Sequence, residues 1–149
     1  MEITKDLLKS EFEKYNHMYF NGELAMCRFT YRYMRDAFGK YRTEHTSKGK
    51  RIGRITISKS VDWDEEKLKQ IIVHEMIHHY VHTIDGISLD GLFQHGFFFV
   101  RQTRRLKKQF GYEVLPYQPF WHFKNDKNTD KITLSQRLTH LLGNKLHLY

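Results

Sequence analysis

A chain of 149 residues, 40% apolar and 28% charged, has enough apolar material for one folded core and reads as globular rather than disordered. No apolar run approaches the roughly 20 residues that a membrane-spanning helix needs, and a single cysteine, Cys27, excludes an intrachain disulfide framework and any cysteine-rich metal ribbon. The formal charge of +8 is concentrated: residues 28–54 hold nine Lys/Arg against two acids, and residues 101–110 hold five against none. Such clusters favour polyanions such as nucleic acid, and equally they can serve only to solubilise a surface.

The N-terminus, MEITKDLLKSEFEKY, is amphipathic and acidic-leaning, which is the pattern of neither a secretory signal nor a transit peptide. One cytoplasmic domain, 1–149, with no membrane partner is the expectation. Thr4 can cap a first helix to about Tyr19, with Leu7, Leu8, Phe12, Tyr15 and Tyr19 as its apolar stripe; Asn21-Gly22 ends it. From Cys27 to Met34 the period changes to two, placing Phe29, Tyr31 and Tyr33 on one face of a strand. A second extended piece covers about 39–43. A basic loop follows (Ser47-Lys48-Gly49-Lys50-Arg51), then a strand over Arg54–Ser58 with Ile55 and Ile57 on one face. This last strand is expected at a sheet edge, where it could align an extended peptide by strand addition.

Asp62 and Glu65 form a capping-box pattern that opens a helix from about Trp63 to His82. A loop marked by Asp85-Gly86 and Asp90-Gly91 leads to a third helix, which starts near Gly96 and stops before Gly111. Its Phe99, Thr103, Leu106 and Phe110 share a narrow arc, with Arg101, Arg104, Arg105 and Lys108 opposite. Residues 112–125 read as irregular or as an edge strand, and 133–142 as a short final helix. Together these elements predict an α+β fold with a small mixed or antiparallel sheet.

The second helix carries His74-Glu75-Met76-Ile77-His78. Residues four apart stand one above the other, so both imidazoles can reach one ion from the same side, and the carboxylate beside the first lies close to that face. Leu68, Ile72, Val73, Met76, Ile77, Tyr80 and Val81 make the helix apolar over an arc of roughly 220°. A carboxylate in its second half therefore needs a partner, which a metal site supplies. His78 and His82 form a rival pair without the adjacent glutamate, and His79 and His82 read as core or surface histidines. A catalytic zinc has three protein ligands and one open position. His95 is the best third ligand, separated from His78 by a sixteen-residue gap, with Asp85 and Asp90 as alternatives. Tyr112, Tyr117 and His122 are candidates for stabilising an oxyanion.

Several segments together resemble the SprT-like zinc metallopeptidase family, which includes the DNA–protein crosslink protease Spartan. Tyr19-Phe20-Asn21-Gly22-Glu23-Leu24 is similar to its YFNGEL signature, Phe38-Gly39-Lys40-Tyr41 to its small-residue strand segment, and Ile55-Thr56-Ile57-Ser58 to its I-x-I-S strand. His74–His78 matches its HExxH, and His95-Gly96 with Phe99 its HG-x-x-F. The resemblance implies a compact zincin-like fold, one Zn²⁺ held by His74, His78 and His95, Glu75 as general base, and hydrolysis of DNA-associated proteins. The four-cysteine ribbon of many members has no counterpart here, so DNA contacts would fall to Lys48, Lys50, Arg51, Arg101, Arg104, Arg105 and Lys108. The alternative is a DNA-binding module whose metal is structural.

Overall fold

A computed structural model describes residues 1–88 and 94–115 of the chain. The expected final helix, most of the 112–125 stretch, and Asp90, Tyr117 and His122 lie outside the described residues. The elements run α1 (Lys5–Phe20), β1 (Arg28–Arg32), β2 (Gly39–His45), β3 (Arg51–Ser58), α2 (Glu65–Thr83) and α3 (Phe97–Phe110), a small α+β arrangement with a mixed three-stranded sheet. No helix among the described residues is long and apolar enough to cross a membrane.

Helix α1 begins as its sequence requires: Thr4 Oγ1 accepts from the Leu7 amide at 3.1 Å. It ends where Asn21 turns left-handed at φ 53°, and Gly22 follows at φ 69°. Asn16 closes that turn like a peptide group, donating to the Leu24 carbonyl at 2.9 Å and accepting from the Leu24 amide at 3.1 Å. Leu8, Phe12, Tyr15 and Tyr19 are buried, as the helical stripe predicts.

The strand order is β1-β3-β2, with β1 parallel and β2 antiparallel to β3. This corrects the expectation of an edge position for 54–58: β3 is the central strand, paired on both sides. The physical reason lies in its burial. Ile55, Thr56, Ile57 and Ser58 are all buried, the pattern of a strand covered on both flanks rather than of an edge. The first strand is also shorter than its period-two run. It stops at Arg32, so Phe29 is buried, Tyr31 half-buried and Tyr33 48% exposed. On the sheet face away from α2, Arg54 donates twice to Glu44, at 2.9 and 2.8 Å, and to Thr30 at 2.6 Å, tying the three strands together.

Helix α2 is capped by Asp64, whose carboxylate accepts from the Lys67 amide at 2.8 Å; Asp62 lies two residues too early for that bond. The helix lies close on the sheet. A Cβ on Gly39 would stand 2.4 Å from Ile71 Cγ1 and 3.1 Å from Glu75 Oε1, and one on Gly53 2.9 Å from His79 Nδ1. His79 is 2% exposed and fully engaged: Nε2 donates to the Ala25 carbonyl at 2.9 Å and Nδ1 accepts from the Tyr41 hydroxyl at 2.9 Å.

Helix α3 packs through Phe99, Gln102 and Leu106. Phe110, expected in the same arc, is 46% exposed at the helix end and meets the Tyr19 ring edge-on. Arg105 departs from the solvent face assigned to it: its guanidinium donates to the Tyr19 carbonyl at 2.7 Å and to Gln102 at 2.8 Å, fastening α3 to the last turn of α1.

Two expectations follow. Gly39→Ala should lower stability by about 1–3 kcal/mol, the usual cost of overpacking, read from urea denaturation. Burial holds His79 below its ordinary pKa near 6.5, so the unfolded chain binds the proton more readily and stability is lost as pH falls below that value. The urea midpoint of metal-free protein should drop between about pH 7.5 and about pH 5, and less steeply in His79→Gln.

Candidate metal centre

Helix α2 puts His74 and His78 one turn apart, and the residue two before α3 returns His95 to the same place. His74 Nε2 lies 3.0 Å from His95 Nε2, and His78 Nε2 3.1 Å from it. Among the described residues these three form the group whose ligand atoms, all within 4.8 Å of one another, could hold a metal ion. Two nitrogens on one tetrahedral ion at their usual bond length sit about 3.3 Å apart, so the observed spacing fits a shared ion.

The protonation pattern fits as well. His74 Nδ1 faces the Leu115 carbonyl at 2.9 Å, and an oxygen there can only accept, so Nδ1 carries the proton and Nε2 the lone pair. Burial pushes the His74 pKa down to about 4, opposed by that carbonyl, which keeps the ring neutral and ready to ligate. His74 and His95 are buried and His78 half-buried, so the group opens on the His78 side.

Sequence reasoning placed Phe99 in the core and missed its contact with the histidines. Its ring is fully buried, with centroids 4.9, 4.7 and 4.6 Å from those of His74, His78 and His95. The signal was available in the HG-x-x-F spacing, since a residue four beyond His95 falls on the first turn of α3, under that imidazole. Gln70, which meets the backbone of Glu113 and Leu115, carried no sequence signal.

Glu75 is 2% exposed and lies on the neighbouring stripe of α2, toward Gly39 rather than within the histidine group. Asp85, an alternative third ligand, is instead paired with Arg101 at 2.8 Å. His82 stays apart from the group, its ring 6.2 Å from that of Tyr41. Burial pushes the Cys27 thiol up to about 12, so it stays protonated beside Gly53 and His79. Tyr112 stacks on Tyr19 at 5.4 Å beneath the Lys69 ammonium, and burial pushes its pKa up. That position gives it no contact with the histidines.

The basic residues separate into two kinds. Lys48, Lys50 and Arg51 are exposed at the β2–β3 turn, and Arg104 and Lys108 on α3. Arg101 is held by Asp85 and lies 5.1 Å from the Phe98 ring, and Arg105 is engaged with α1. The two exposed groups belong to different elements.

Replacing Phe99 with Ala removes the ring on which all three imidazoles rest. The expected loss is about 3–5 kcal/mol of stability in the metal-free protein, measured by thermal or urea unfolding.

No curated protein matches the chain. The family model described as SprT-like matches residues 8–120, from α1 through the second and third helices to beyond the histidine group. With most of its length matched, and with the three histidines gathered where a metal could sit, the chain belongs to the SprT-like family.

Proposed function

We propose that the protein is a zinc-dependent peptidase with a zincin-like fold, in which His74, His78 and His95 hold one Zn²⁺ and Glu75 is the general base. The observation that carries the reading is the convergence of three imidazole nitrogens, with a carboxylate 2% exposed on the adjacent stripe of the same apolar helix. Three imidazoles suit zinc and would leave it an open position, where it would supply a Lewis acid and a water of lowered pKa. Glu75 would take the proton of the attacking water and return it to the leaving amine. Burial among apolar side chains keeps bulk water from competing for that proton.

With β3 enclosed, strand addition moves to β2, whose outer edge is free of strands among the described residues. Its first residue, Gly39, lies against Glu75. An extended peptide on that edge would run past the carboxylate with its backbone hydrogen bonds satisfied.

DNA-associated proteins are the proposed substrates. Support comes from the family and from the exposed Lys48, Lys50, Arg51, Arg104 and Lys108, which can neutralise phosphates without reading bases. The cytoplasmic setting is supported by Cys27, a free and buried thiol. A DNA-binding module with a structural metal fits less well, because structural zinc is four-coordinate with cysteine-rich ligands.

Glu75→Gln should keep zinc near one ion per chain while cleavage of a disordered protein, free or on single-stranded DNA, falls by about 100-fold or more. Unchanged cleavage by that variant would remove Glu75 from the mechanism. His95→Ala should lose the metal, and metal content unaffected by it would undo the ligand set. If DNA recruits substrate, cleavage of a DNA-bound protein should weaken steeply with added salt, whereas cleavage of casein should not.

A further inference from the structure

We propose that Gln70 is a positioning residue of the metal centre, acting through the backbone of residues 113–115 to hold His74 in ligating orientation. The proposal rests on the reading of His74 as a ligand. Gln70 precedes His74 by four residues and so stands on the same stripe of α2, one turn toward its N-terminus. Its amide offers a donor and an acceptor side by side, as a strand edge does. Nε2 donates to the Glu113 carbonyl at 2.7 Å, and Oε1 accepts from the Leu115 amide at 3.4 Å.

Groups two residues apart on an extended chain point to the same side, so the Leu115 carbonyl faces α2 together with these two. There it accepts the Nδ1 proton of His74 at 2.9 Å. The segment is anchored between them by Val114, 3% exposed and part of the core. Gln70, segment and His74 thus form a short ladder. Its last rung fixes both the tautomer and the ring angle of a ligand, the function that partners of metal-bound histidines commonly serve.

The segment lies outside any helix or strand, and without Gln70 its Glu113 carbonyl and Leu115 amide would lose their partners on α2. The Leu115 carbonyl would then be free to drift from His74. The side chain of Glu113 takes no part: it reaches Lys107 at 3.4 Å on the surface.

The test measures zinc affinity of the full chain by competition with a chromophoric chelator, and the visible spectrum of the cobalt-loaded protein. Gln70→Ala should weaken zinc binding by about 10-fold and shift the cobalt bands, while Glu113→Ala, which keeps the carbonyl, should stay within about twofold of wild type. Gln70→Glu, nearly the same shape but without the donor, should also weaken binding, and it serves if the alanine variant folds poorly. Variants at Gln70 that lose metal-free stability yet bind zinc as tightly as wild type, with unchanged cobalt bands, overturn the proposal and leave the metal reading standing. A wild-type protein that takes up no zinc overturns both.

Discussion

The close seat of α2 on the sheet is the constraint from which the rest of the site follows. Gly39 and Gly53 leave no room for side chains, and Ile71, Glu75 and His79 occupy that space at four-residue intervals. This contact fixes the rotation of the helix about its axis. Once one stripe is committed to the sheet, the next stripe, Gln70, His74 and His78, can face only toward α3 and the chain that follows it. The carboxylate and the two imidazoles thus come to adjacent faces because of packing, without any contact between them being required.

Burying this many polar groups in one helix carries a desolvation cost that the surroundings must offset. The structure does so by keeping the histidines neutral and giving ring nitrogens defined partners. His79 is held between the Tyr41 hydroxyl and the Ala25 carbonyl, and His74 against the Leu115 carbonyl. The two cases look alike in sequence but differ in consequence. Both nitrogens of His79 are engaged by protein, so it joins α2 to β2 and to the chain before β1. His74 has only Nδ1 engaged in this way, which leaves Nε2 turned toward His78 and His95.

Much of this was legible in the sequence, for identifiable reasons. The three helices announce themselves through caps and apolar stripes, which are local properties, and the histidine spacing on α2 follows from helical geometry alone. His95 was legible because it sits beside a glycine at the start of a helix. What escaped was decided by pairing across the chain. The central position of β3 depends on which strands flank it, and an Ile-x-Ile pattern cannot state that. Asp62 and Asp64 both suit a cap, and only the start of the first turn chooses between them. Arg105 reads as a surface cation until the carbonyl of Tyr19, eighty-six residues earlier, is placed beneath it.

The reassignment of Arg101 and Arg105 changes what α3 is for. This helix delivers His95 from its N-terminal end, so its placement sets where the third imidazole stands. Arg101 closes the α2–α3 connection onto Asp85, a carboxylate 12% exposed, and Arg105 anchors the helix to the last turn of α1. The first pair is partly shielded and the second bond reaches a helix-end carbonyl, so both have more to gain than an exposed pair does. Two of the five cations that give α3 its charge are therefore engaged by other parts of the protein, where they help set the place of the third imidazole. Arg104 and Lys108 are exposed there for a polyanion, while Lys107 meets Glu113. The positive charge of this helix is best understood first as the fastening of the histidine group and only second as a surface for phosphate.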